Sequence, residues 1–267
     1  MDATARGNPA DMQSATTSRT RCLAVALAVL PVLAACGGGG DAPGQQALGA
    51  AELTDPATAR LVITTDNGLR LRPTDGDHVA APRSVTPHWS HHDRTWVLDL
   101  SCDREHGDGN GDRPCPRMPT VDVPADTSVT VTARNAGIDV AGVTGALDLT
   151  TVNGDVVVAG SGRADAPVRL TTRNGSVRAS DLRTSALHAA TVNGDVVLGC
   201  ATAPRRVAAT TTNGSVDTVV PDDSPAYRVT ATTDNGRAST TVPTREAAAD
   251  HTMTLTTVNG DVRAAHD

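Results

Sequence analysis

Residues 149–156 read Leu149-Thr150-Thr151-Val152-Asn153-Gly154-Asp155-Val156, and residues 255–262 repeat the same eight letters from Leu255 to Val262. Working outward, Asn-Gly recurs at Asn67, Asn153, Asn174, Asn193, Asn213, Asn235 and Asn259, with Asn135-Ala136-Gly137 as a degenerate copy. From Asn135 onward the intervals are 18, 21, 19, 20, 22 and 24 residues, a tandem period that marks a stacked or repetitive architecture. Six, four and two positions before each asparagine stand small or apolar residues, as in Leu147, Leu149, Thr151 and Val168, Leu170, Thr172. Three positions after it stand Ile138, Val156, Val177, Val196, Val216, Ala238 and Val262. Alternation with one buried face on each side of a corner means strand, corner, strand. The chain is therefore read as all-β, because a helical period fits no copy.

Two architectures share this phase. Asn-Gly is the strongest short signal for a two-residue hairpin turn, which would give an antiparallel β-meander. In a β-solenoid, each unit of about 20 residues is instead one coil, and Asn-Gly occupies a corner where glycine adopts a conformation other residues resist. The row two positions after each asparagine runs Asp155, Ser176, Asp195, Ser215, Arg237, Asp261. Stacked coils would place these side chains above one another, where like charges repel, and no two acids are neighbours in the series. That spacing and the small interior residues favour the solenoid.

The recurring Leu-Thr-Thr-Val-Asn-Gly-Asp-Val resembles the adhesin-type β-strand-repeat family of bacterial surface proteins, a domain family of unknown function. The resemblance covers about 121–267. It is weaker over 60–120, where Thr65-Asp66-Asn67-Gly68 fits but Arg70 replaces the expected apolar residue. It implies a β-helix-like fold and an exported location, and carries no catalytic residues.

The N-terminal segment reads as an address. An uncharged apolar run at 22–35 follows Arg19 and Arg21 and is too short for a permanent membrane span. It closes on Leu33-Ala34-Ala35-Cys36, which resembles the bacterial lipoprotein signal and implies cleavage before Cys36 and lipid attachment there. Met12 would start a conventional short basic leader. The expected organisation is a signal peptide over 1–35, a lipidated cysteine and glycine-rich tether over 36–52, an N-terminal β region over 53–120, and the repeat domain over 121–267. Of the other cysteines, Cys22 leaves with the leader, and Cys102 and Cys115 flank a polar loop between two strand-like runs. In an oxidising exterior they are expected to close a disulfide hairpin. Cys200 continues the inward phase of Val196 and Leu198 and is read as a buried small residue.

Composition bears on chemistry. All 23 basic residues are arginine, which removes phosphate-binding and Schiff-base lysines. A net charge of -7 and three aromatic residues, Trp89, Trp96 and Tyr227, argue against a nucleic-acid partner. His88, His91 and His92 cluster around Trp89 and are the weak candidates for a metal, without the spacing of a known ligand motif. Asp108, Asn110 and Asp112 superficially match the start of a calcium loop, but Arg113 takes the place of the required glycine. No Gly-x-Ser-x-Gly elbow is present, and no cofactor is expected. The expected protein is a lipid-anchored, non-enzymatic envelope protein that presents a polar face, with outward threonines such as Thr150, Thr171, Thr210, Thr232 and Thr256. It would act in adhesion, as a scaffold or in envelope sensing, toward an envelope polymer or a surface protein. The competing class is a polysaccharide-active β-helix enzyme, which would need clustered carboxylates, whereas the acids here are dispersed.

Overall fold

The protein is described by a computed structural model over residues 50–53, 55–101, 117–247 and 250–267. Gln46–Asp267 form one compact unit. The signal-like run, Cys36, Cys102, Cys115 and the 108–112 loop lie outside the described residues.

Most strands of the repeats alternate buried and more exposed positions, as β8, β12, β15 and β17 do. The first stretch holds β1 (Ala50–Glu52), β2 (Arg60–Thr65), β3 (Leu69–Thr74), β4 (His78–Ala80), β5 (His88–His92) and β6 (Thr95–Asp99). Next come β7 (Thr120–Pro124), β8 (Ser128–Ala133), β9 (Ile138–Ala141), β10 (Leu147–Thr150), β11 (Val156–Ala159), β12 (Pro167–Thr171) and β13 (Val177–Leu182). The chain ends with β14 (Ala186–Ala190), β15 (Val196–Cys200), β16 (Arg206–Thr210), β17 (Val216–Val220), β18 (Arg228–Asn235), β19 (Ala238–Thr240), β20 (Thr252–Asn259) and β21 (Val262–His266). Strands that lead into a corner form one sheet of ten, and strands that leave it form a second sheet of eleven.

Equivalent strands of successive repeats pair in parallel and in register. Leu147 and Leu149 lie beside Val129 and Val131 on one side and Val168 and Leu170 on the other. Val156 likewise sits between Ile138 and Val177. Parallel pairing establishes the solenoid and removes the antiparallel meander, because a hairpin at Asn-Gly would pair the two strands flanking each corner with each other. The inward rows fill the space between the sheets, with Leu149, Leu170, Val156 and Val196 all essentially inaccessible to water. An interior of Val, Leu and Ala suits two sheets about 10 Å apart, and bulky rings are not needed.

The segment before the repeats joins the same stack. β2 pairs with β8, and β3 with β9, so 60–74 is a further coil. Leu69 is the register partner of Ile138, so the inward phase begins one residue earlier after Asn67 than after Asn135. Arg70 consequently faces outward, where it and Arg72 meet Asp139 at 3.5 and 3.0 Å. The hairpin expected across 102–115 is not formed by its flanking strands. β6 pairs with β2 and β5 in one sheet, whereas β7 pairs with β3 and β4 in the other.

At both ends, chain order and spatial order differ. The coil β6/β7 lies outside the earlier β2/β3, and the next coil in sequence, β8/β9, adds to the opposite side. At the other end β20/β21 slots between β16/β17 and the earlier β18/β19. The N-terminal end is closed by antiparallel pairings, with β5 antiparallel to β6, β4 antiparallel to β7 and β1 antiparallel to β4. Trp89 and Trp96 pack edge to face there, with centroids 6.4 Å apart.

The corner glycines are required by contact as much as by conformation. Gly214 has φ 150°, and a Cβ placed on it would fall onto the carbonyl oxygen of Gly194 in the coil beneath. Gly160 has φ 53°, yet a Cβ there meets nothing within 4 Å. Gly214→Ala is expected to cost roughly 2–4 kcal/mol. Gly160→Asn is expected to cost no more than about 1 kcal/mol, because asparagine tolerates the left-handed region. Urea unfolding of the two variants checks the contrast, and equal losses would refute the contact argument.

Candidate functional site

Each letter of the repeated Thr-x-Asn-Gly-Asp has a structural task at the corner. The threonine two positions before the asparagine is buried, and its hydroxyl donates to the glycine carbonyl of the preceding coil. Thr172 reaches Gly154 at 2.7 Å, Thr191 reaches Gly175, Thr211 reaches Gly194 and Thr257 reaches Gly214, each at 2.8 Å. The asparagines form a ladder of amides. Asn174 Nδ2 donates to Asn153 Oδ1, Asn193 to Asn174, Asn213 to Asn193, Asn259 to Asn213 and Asn235 to Asn259, all within 2.8–2.9 Å. Asn67 and Asn135 stand at the corners of the two coils before this ladder.

The third row alternates in space more regularly than in sequence. Because the last coil inserts before β18/β19, the spatial series is Asp155, Ser176, Asp195, Ser215, Asp261, Arg237. Asp155 Oδ1 accepts from the Ser176 amide at 2.7 Å, Asp195 Oδ1 from the Ser215 amide at 2.8 Å, and Asp261 Oδ1 from the Arg237 amide at 2.9 Å. Ser176 and Ser215 hydroxyls accept in turn from the amides of Asp195 and Asp261. Carboxylates two coils apart are separated by about 9.6 Å at ordinary strand spacing, and each has one oxygen engaged in holding the stack.

The outer face of the leading sheet is a flat polar surface. Thr64, Thr132, Thr150 and Thr171 stand in register, followed by Ala190, Thr210, Thr256 and Thr232. Thr64 and Thr132 extend the expected threonine row, and the cue lay in their position three before Asn67 and Asn135. Beside this row Asp148, Arg169 and His188 follow one another in consecutive coils. Partial burial raises the Asp148 carboxyl, opposed by Arg169, His188 and Arg60. Burial, then Arg169, lowers the His188 imidazole, and Asp148 opposes that shift.

The three histidines singled out in the sequence do not converge. They share β5, with His88 and His92 on one face and His91 on the other. His91 stacks on its cross-strand partner Trp96 at 4.2 Å and 26°, and His92 Nδ1 lies 3.0 Å from Asp93. Among the described residues no group of three His, Cys, Asp or Glu is placed to hold a metal ion. Cys200 is 6% exposed, and burial pushes its thiol up to about 12. Tyr227, also fully buried, donates its hydroxyl to the Pro204 carbonyl at 2.8 Å, and burial raises its phenol.

These assignments predict three outcomes. Thr191→Val should lose about 1–2 kcal/mol by orphaning a corner carbonyl, whereas Thr191→Ser retains most of the stability, as chemical denaturation would show. Cys200 should stay unreactive toward a thiol reagent in the native state and react once the chain is unfolded. His188 and His266 should give opposite pH responses. A lowered His188 makes unfolding take up a proton, so its contribution to stability is lost as pH falls through the ordinary value of 6.5. His266 is raised first by its hydrogen bond to Asp222 at 2.6 Å, so its contribution is present below 6.5 and lost as pH rises through the folded value. Melting curves from about pH 5.5 to 8 should show His188→Gln flattening the acid side and His266→Gln flattening the alkaline side.

Comparison with known proteins agrees with this architecture at the level of the family. No curated protein matches the chain. A crystal structure of a candidate cell adhesion protein from Clostridium sporogenes aligns over 81% of this chain and 97% of its own, with 8% identity and a TM-score of 0.37. Residues 120–264 match the family described as Toastrack DUF4097, over most of the stacked coils. The chain thus belongs to the Toastrack DUF4097 family, an all-β, solenoid-like repeat family of unknown function.

Proposed function

We propose that the protein is an exported, lipid-anchored envelope protein whose solenoid is a non-catalytic display surface for adhesion, scaffolding or sensing. Its partner is an extended envelope polymer or a surface protein that lies along the coils. The observation that carries this reading is the flat face of in-register threonines beside the Asp148, Arg169 and His188 row. Apart from Ala190, the stack offers a partner a threonine hydroxyl on each coil, about 4.8 Å apart, a spacing suited to extended ligands. The corner acids support display over hydrolysis, since they stand exposed in a single row and are bonded to neighbouring amides. Paired carboxylates facing across a groove would be the arrangement for glycoside cleavage. Anchoring rests on Leu33-Ala34-Ala35-Cys36 behind its apolar run.

Metabolic labelling with a fatty-acid analogue in a bacterial host tests the anchor. The wild type should take up label and sediment with membranes, and Cys36→Ala should lose both properties. An unlabelled wild type, or a Cys36→Ala variant that is still labelled, would overturn lipid anchoring. Display is tested by cosedimentation with isolated cell-envelope polymer. Thr171→Arg, on the outer face, should weaken binding by about tenfold without changing the melting temperature. Release of soluble sugar from that polymer would instead establish an enzyme.

A further inference from the structure

The two ends of the solenoid differ in a way that points to self-association. The N-terminal end is closed by antiparallel strands, but at the other end β18 and β19 are the last strands of their sheets. Their inward residues are unlike those of every earlier coil. Val229 and Ala231 are only half-buried, and Ala238 and Thr240 are exposed, whereas their stack partners Met253, Leu255, Val262 and Ala264 are at 0% exposure. A cavity of about 490 Å³ opens between the two edges, walled on one side by Thr244–Glu246.

The main chain of β18 sets what fits there. The Arg228 amide donates to His251 on the β20 side. Tyr227 bonds in the opposite direction, its amide donating to Pro243 and its carbonyl accepting from Arg245. By strand alternation, Val229 and Ala231 direct their amides and carbonyls to the open side, as Thr233 does its amide. Among the described residues, the connecting segment pairs with this edge only at Tyr227, where Thr244 forms a bridge.

The geometry points to a second copy of this chain as the occupant, joined end to end about a two-fold axis through Ala231. Antiparallel pairing of β18 with its counterpart places Ala231 opposite Ala231 as a hydrogen-bonded pair and Val229 opposite Thr233. This is the register in which the outward-directed main-chain groups meet each other. The inward side chains then cover the open mouth of both stacks, and Thr230 pairs with Thr232 on the outer face, a favourable cross-strand combination. The charges are self-complementary in the same register. With Ala231 opposite itself, the exposed Asp234 falls directly across from Arg228 of the second copy, with Arg245 and Glu246 beside that arginine and Arg237 beyond the aspartate. A two-fold interface requires one patch to complement itself, and this patch does. One strand pair with a small apolar patch makes a small interface, so the dimer is weak.

Sedimentation equilibrium of the full chain in mild detergent, over micromolar to millimolar concentrations, tests this. The wild type should form a concentration-dependent dimer. Ala231→Pro removes an amide directed to the open edge, a position where an edge strand tolerates proline, and should raise the dissociation constant at least tenfold. Asp234→Arg, an exposed substitution that leaves the main chain untouched, should weaken the dimer by a similar factor at low salt and less at high salt. A wild type that stays monomeric throughout overturns the proposal. So does a dimer whose affinity neither variant changes, since it must use another face.

Discussion

The close approach of successive corners is the constraint on which the rest of the stack depends. The carbonyl of each corner glycine lies where the next coil's glycine would carry a side chain, and a buried threonine hydroxyl from that next coil bonds to the same carbonyl. The coils are thereby held at strand spacing outside the sheets as well as within them. Once the corners are in contact, the asparagine amides meet, the aspartate and serine side chains reach neighbouring amides, and the inward rows come into register. Burial of Val and Leu supplies the driving force. The corner chemistry decides which of many possible strand pairings that force selects.

Much of this was legible in the letters. Period-2 alternation around Asn153 and Asn259 gave the inward residues correctly, and Cys200 is buried where its phase placed it. The spacing of charge in the row after the corner favoured the parallel direction over the meander, although neighbours in sequence only approximate neighbours in space. The role of Thr151, Thr172 and Thr191 was not legible, because a threonine that fills an interior and one that satisfies a carbonyl occupy the same pattern position. The surroundings of Cys102 and Cys115 misled for a related reason. Two strand-like runs beside a polar loop fit a hairpin and a pair of strands in different sheets equally well, and only the pairing of β6 with β2 and of β7 with β3 separates the two.

The flat outer face illustrates what a repeat can and cannot encode. A threonine three residues before each asparagine is a local rule, so the row was visible in outline. The sequence Asp148, Arg169, His188 along the neighbouring row belongs to no local rule and appears only when coils are aligned. Burial raises the Asp148 carboxyl and lowers the His188 imidazole, and the charges that act on both, Arg169 foremost, are brought beside them by the same alignment. Family membership places this face in an architecture whose biological role is open.

The exchanged order of the last coils bears on how such a chain acquires its structure as it emerges. Coil β18/β19 is made before β20/β21 but lies beyond it, so it has no completed neighbour to settle against until the final residues arrive. A solenoid of simple order can grow one rung at a time as the chain is made. This one must hold its penultimate segment in waiting, and it becomes a continuous stack only when Val262–His266 slides into the gap. Coil β20/β21 is therefore the keystone of this end of the stack, and a chain lacking it would lose the seat of β18/β19 as well.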